Sequence, residues 1–120
     1  MKTSELTGPA LDWAVAKAEG HEVAVATGTG LIIIRRGNVV DYFDPSTNWG
    51  WGGPIIERES ISVQRFDGNA KGTRAWNAYV NEPPLKHDEE ICGPTALIAT
   101  MRCFVASKLG DEVDVPKELQ

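Results

Sequence analysis

Cysteine and histidine are the residue types here best suited to nucleophilic chemistry, and the chain holds two of each: Cys92, Cys103, His21 and His87. Cys92 stands just before a stretch that reads as a helix, where unsatisfied N–H groups and the helix dipole favour a thiolate. With His87 or His21 within hydrogen-bond reach, directly or through a water, that sulfur could serve a cysteine-dependent enzyme. No Cys–His signature surrounds any of these residues, however, and a turn alone accounts for Gly93-Pro94. The sequence His87-Asp88-Glu89-Glu90 offers one imidazole and three carboxylates, of which only His87 is a strong transition-metal ligand, so no metal site is expected. Gly28-Thr29-Gly30 lacks the third glycine of a dinucleotide loop and leads into an apolar strand rather than a helix. With no phosphate loop, serine elbow or spaced pair of carboxylates, an enzyme is disfavoured and no cofactor is expected.

A binding surface is better supported. Residues 43–57, FDPSTNWGWGGPIIE, combine two tryptophans with three glycines and two prolines, and read as a loop over 44–54. Glycines let a backbone approach a ligand closely, and indole faces supply stacking surface. Ser46, Thr47 and Asn48 add hydroxyl and amide partners that orient a small polar molecule. The expected ligand-binding residues are therefore Ser46, Thr47, Asn48, Trp49, Trp51, Gly52 and Gly53, with Trp76 as a neighbouring wall. The competing explanation is structural: Trp49 and Trp51 plug a sheet edge, and Gly52-Gly53-Pro54 is a turn. Since Trp49 and Trp51 alternate around Gly50, one face could do each job.

The elements that would position these residues follow from patterning. Residues 7–20 read as an amphipathic helix, with Thr7 or Gly8 as cap, Pro9 in the first turn and Gly20 at the stop. Leu6, Ala10, Trp13 and Ala14 share its apolar face, while Asp12, Ala16 and Glu19 lie opposite. Strands follow at 22–27, 31–36 and 39–43. The apolar run Leu31–Ile34 reads as a central strand covered on both faces, and Gly37-Asn38 as a two-residue hairpin turn. Further strands are expected at 61–66 and 73–80, with polar turns at 67–72 and 81–90. Leu97, Ile98, Met101, Phe104, Val105 and Leu109 recur at helical spacing, giving a last helix over 93–109 that Gly110 ends. Val113 and Val115 would tie the tail to the body. The sum is an α+β fold in which two helices pack on a mainly antiparallel sheet of about five strands.

At 120 residues, 42% hydrophobic and 24% charged, the chain suits one compact domain over 1–120. Its net charge of −5 and dispersed basic residues argue against nucleic-acid binding, which needs a basic face. No apolar run is long enough to span a bilayer, and the first residues lack a signal-peptide pattern, so a cytoplasmic protein is expected. Cys92 and Cys103 are separated by the inferred helix, so no disulfide is expected between them.

Three stretches carry a resemblance as a set: KTSELTGPALDWAVAKAEG at the start, PSTNWGWGGPIIE in the aromatic segment and PTALIATMRCFVASKLGDEV near the end, with WNAYV between. In this order they resemble the NinX-like family of small phage and prophage proteins, a family of unknown function. Pro9 stands where a small residue is expected, which argues against a helix beginning as early as Ser4. The resemblance implies a phage-encoded accessory protein acting in the bacterial host cytoplasm, and it supplies no catalytic residues. The leading expectation is a non-catalytic protein that binds a small molecule or a host protein through Pro45–Pro54. Two alternatives remain: a cryptic cysteine-dependent enzyme using Cys92, and a homo-oligomeric interaction module in which the aromatic segment is purely structural.

Overall fold

The computed structural model describes residues 1–65, 76–80 and 91–120. The turns read at 67–72 and 81–90, His87 and the acidic run beside it lie outside the described residues.

Helix α1 spans Gly8–Glu19. Thr7 precedes it in extended geometry, Pro9 occupies its first turn, and Gly20 ends it at φ 81°, a left-handed conformation that suits glycine. The helix starts later than Ser4; residues Thr3–Glu5 form a separate 3-10 turn. Its polar side is not solvated. Asp12 and Ala16 are buried together with Leu11, Ala14 and Val15, because the 44–48 turn closes over that face and the Ser46 N–H donates to Asp12 Oδ1 at 2.8 Å.

The first sheet is an antiparallel meander in the order β1 (Glu22–Val25), β2 (Ile32–Arg36), β3 (Val39–Tyr42). Arg36 pairs with Val39 around Gly37-Asn38, so the two-residue hairpin holds, with Gly37 at φ 64°. Strand β2 is central, but only one of its faces is covered. Ile32 and Ile34 are buried, while Leu31 is 44% exposed and Ile33 only half-buried.

The segment read as a loop over 44–54 is helical from Trp49 onward. Helix α2 covers Trp49–Glu59. A turn anchored on Asp44 leads into it: the Asn48 N–H donates to the Asp44 carbonyl at 2.9 Å. Asn48 then caps the helix, its Oδ1 accepting the Gly50 N–H at 2.8 Å. Three glycines and Pro54 oppose a helix locally, since proline loses a backbone bond and clashes with the preceding turn. Tertiary contacts override them. Ile55 is buried, and Gly52 is the point at which α2 meets the last helix: a Cβ there would stand 2.5 Å from Leu97 Cδ2 and 3.0 Å from the Pro45 carbonyl oxygen. Glycine is therefore required at 52 for close approach rather than for a turn.

The second sheet has the order β4 (Ile61–Arg65), β5 (Trp76–Val80), β6 (Cys92–Gly93), again antiparallel. Helix α3 spans Ala96–Leu109. It begins later than Gly93 because Pro94 disfavours helical geometry in the residue before it; Thr95 caps instead, its Oγ1 accepting the Ile98 N–H at 3.1 Å. The architecture among the described residues is thus α+β with three helices and two three-stranded sheets, six strands in all, rather than two helices on about five strands.

Helix α3 packs on β4, β5, α1 and α2, and α1 packs on β1 and β2. One hydrophobic cluster runs through Leu11, Ile34, Phe43, Ile55, Ile61, Ala78, Met101 and Phe104. Each fully buried Leu, Ile, Met or Phe among them contributes roughly 1.5–3 kcal/mol against exposure. Val113 and Val115 are buried as expected. The chain ends meet: the Met1 ammonium donates to the Val113 carbonyl at 2.9 Å, and the Thr3 hydroxyl to the Gly110 carbonyl at 2.6 Å.

Candidate functional site

The helical conformation of 49–59 separates the expected site residues. Trp49 is 56% exposed on one side of α2, and Trp51 is half-buried on the other. Two grooves flank the helix accordingly.

The first groove, of about 300 Å³, lies between the start of α2 and the start of α3 and is lined by Ser46, Thr47, Trp49, Thr95 and Leu97. Within the first turn of α3 the Ile98 and Ala99 N–H groups are taken by Thr95, by its hydroxyl and its carbonyl oxygen. The Ala96 and Leu97 N–H groups precede any helical carbonyl that could accept them. The groove therefore combines an indole face, threonine hydroxyls and the positive end of a helix dipole. An apolar ligand bearing a carboxylate or another compact anion matches that combination.

The second groove, of about 350 Å³, is walled by Trp51, Phe43, His21, Arg36 and Arg58. Phe43 meets Trp51 edge-on at 5.1 Å and His21 at 5.4 Å, while Arg36 lies 5.0 Å from the Trp51 ring centre. Its cations are already paired. Arg36 donates to Asp41 at 2.8 Å, and Arg58 forks onto Glu19 at 2.6 and 3.2 Å and also reaches Glu59 at 2.9 Å. Hydrogen bonds from Arg58 and Lys108 hold the Glu59 carboxyl below its usual range. This wall ties α2 to α1 and α3, so Trp51 serves packing.

Of the remaining expected residues, Asn48 is the α2 cap, Gly52 is consumed at the α2–α3 contact, and Gly53 has open space beside it. Trp76 sits on β5 with Arg65 5.7 Å from its ring and lines neither groove. The segment thus brings Ser46, Thr47 and Trp49 together and sends Trp51 and Trp76 elsewhere.

Asp12 and Arg102 carry chemistry that patterning did not single out. Burial pushes the Asp12 carboxyl up to about 6, against the opposing pull of the Ser46 N–H and hydroxyl, with nearby Asp44 adding to the rise. The Ser46 hydroxyl sits close enough to favour the charge but is not aligned for a hydrogen bond, and its oxygen is buried without a partner. Arg102 is buried in α3 and joins two distant segments: Nε donates to the Leu6 carbonyl at 2.8 Å and Nη1 to the Cys92 carbonyl at 2.9 Å. Burial lowers its pKa. Neither cysteine is part of a disulfide, and both are buried; Cys92 is 2% exposed. No local signal marks Asp12 or Arg102, since each lies on a helix face that only the assembled fold covers.

A family model described as bacteriophage P22 NinX matches residues 2–108. The chain belongs to the phage NinX family. The match takes in α1, both sheets, α2 and nearly all of α3, so both grooves of this NinX-family chain lie within the shared region. No curated protein matched the chain. Among the described residues no helix is long and apolar enough to cross a membrane.

Proposed function

We propose that this NinX-family chain is a non-catalytic phage accessory protein that holds a small molecule, or a segment of a host protein, against Trp49 and the Ser46–Asn48 turn. The observation that carries this reading is the exposure of Trp49. Helix α2 buries Ile55, closes on α3 through Gly52 and sets Trp51 edge-on against Phe43, yet leaves its first indole outward beside the start of α3. The fold gains little from an outward tryptophan, whereas a ligand would gain a rigid aromatic surface. The burial of Cys92 away from solvent supports the non-catalytic reading, because a nucleophile must be reached.

Thermal-shift screening against nucleotides and amino-acid metabolites supplies the ligand, since a bound ligand raises the melting temperature. Trp49→Ala is expected to melt within about 1 °C of the wild type and to lose the ligand-induced shift. If Trp49→Ala unfolds the chain, or keeps the shift intact, the indole is structural or irrelevant to binding.

A further inference from the structure

A serine hydroxyl carries one donor, and burying it unpaired costs free energy. Ser46 is 2% exposed, and its hydroxyl oxygen has no hydrogen-bond partner. The backbone N–H of Ser46 already serves the Asp12 carboxyl at 2.8 Å, so the turn is tied to α1 without the side chain. The same residue lines the groove of about 300 Å³ between the starts of α2 and α3. A buried polar group left unpaired in the wall of an open groove calls for an explanation, and an occupant of the groove supplies one.

Two helices begin at this groove, α2 at Trp49 and α3 at Ala96. In α2 the Asn48 side chain and carbonyl take the N–H groups of Gly50, Trp51 and Gly52. In α3 Thr95 takes those of Ile98 and Ala99. Among the described residues nothing accepts the N–H of Trp49, Ala96 or Leu97. Each helix start carries about half a positive charge, so two together balance roughly one negative charge. No acidic residue occupies either first turn, and the described residues lining the groove include neither an acid nor a base. A phosphate dianion would call for an arginine or lysine beside it. A carboxylate carries the single charge that the two helix ends balance.

We infer that the groove takes a small monocarboxylate with a flat apolar body. Its carboxylate accepts from the free N–H groups at the helix starts and from the Ser46 hydroxyl, and its body lies on the Trp49 indole beside Leu97 and Ile98. This rests on the binding surface proposed above at Trp49 and names the class of molecule that surface holds. Two carboxyls of the chain itself lie nearby. Asp44 accepts from Asn48 Nδ2 at 3.2 Å and does not line the groove. Asp12 takes the Ser46 N–H, and burial pushes its carboxyl up to about 6, so it is mostly neutral at about pH 5.5.

Titration of the full ¹⁵N-labelled chain with benzoate at about pH 5.5, followed by amide chemical shifts, tests the inference. Benzamide serves as the uncharged probe with the same ring, and acetate as the charge without the ring. Benzoate is expected to bind in about the millimolar range and to move the Trp49, Ala96 and Leu97 amide signals, with benzamide and acetate each at least about tenfold weaker. Ser46→Ala is expected to weaken benzoate about tenfold, the effect of one hydrogen bond to a charged group. Its melting temperature should not fall, because the hydroxyl it removes has no partner in the fold. Equal affinity for benzoate and benzamide overturns the inference on the wild-type chain alone. So does the absence of benzoate binding, or a Ser46→Ala chain that folds and binds benzoate as tightly as the wild type. An uncharged ligand from the thermal-shift screen whose effect requires Trp49 overturns this inference and leaves the preceding reading in place, whereas a ligand indifferent to Trp49→Ala counts against that reading itself.

Discussion

Asp12 makes the energetics of the α1–α2 region measurable. Its carboxyl is buried and titrates near 6, against an ordinary value of 3.8. At about 1.4 kcal/mol per unit, that rise corresponds to a cost on the order of 3 kcal/mol for keeping the charged form inside the fold. Below pH 3.8 the group is protonated in folded and unfolded chains alike, and the cost is absent. Between about 4 and 6 the folded chain binds a proton that the unfolded chain has released, so this group's contribution to stability falls as pH rises. Above 6 the full cost is in place. Asn at position 12 is neutral throughout. It keeps an acceptor for the Ser46 N–H, which Asp12 Oδ1 takes in the wild type. Asp12→Asn should therefore match the wild type at pH 4 and exceed it by roughly 2–3 kcal/mol at pH 8, a melting shift on the order of 10 °C. Denaturant titrations followed by circular dichroism at each pH measure the gap. Taking the difference between the two proteins cancels other titrations, such as that of Glu59, whose lowered pKa adds stability above the ordinary glutamate value that is lost on acidification. A variant less stable than the wild type at pH 8, or a gap that does not change between pH 4 and 8, would refute the reasoning.

Other substitutions probe the contacts that place α2 and α3. Gly52→Ala drives a Cβ into Leu97 and the Pro45 carbonyl, and should cost about 1–3 kcal/mol in denaturant midpoint. Arg102→Met strands the buried Leu6 and Cys92 carbonyls, with an expected loss of about 2–4 kcal/mol in equilibrium unfolding. Arg102→Lys should not restore the loss, because an ammonium lacks the guanidinium fork that reaches both carbonyls. Titration with a thiol reagent should find neither cysteine reactive in the folded chain and both reactive in denaturant, since Cys92 and Cys103 are 2% and 4% exposed.

Legibility in the sequence tracked how local each signal was. The β2–β3 hairpin was readable because Gly37-Asn38 sets both the turn and the register. The end of α3 was readable because Gly110 ends it at φ 87°. Strand β6 is two residues long and exists only by pairing with β5, so no local pattern announces it. Helix α2 is not legible in the sequence because Gly50, Gly52, Gly53 and Pro54 each oppose a helix on their own, by about 1 kcal/mol per glycine and ~3 kcal/mol for proline. What favours it comes from elsewhere: the Asn48 cap, the buried Ile55 and the space that Leu97 leaves for a residue without a side chain. The helical spacing of Trp51 and Ile55 was the available signal, and the turn-forming residues around it outweighed it. Of the expected site, the residue types were legible but not their facing. Composition marked residues 43–57 as unusual without saying which indole the fold would use.

That division follows from the conformation itself. In a strand, residues two apart point the same way, so Trp49 and Trp51 would have shared one face, both buried or both exposed. In a helix two residues turn the chain by ~200°, which sends the two indoles to opposite sides. Trp51 meets Phe43 and Arg36, and Trp49 faces the first turn of α3. The structural and the binding explanations of this segment therefore do not compete for the same side chain. Trp51 supplies packing that holds α2 in place, and under the proposed reading Trp49 is the indole that rigid helix leaves for a ligand. Trp51→Ala should accordingly weaken the fold first and binding only in consequence, whereas Trp49→Ala should remove binding from a helix that stays where it is.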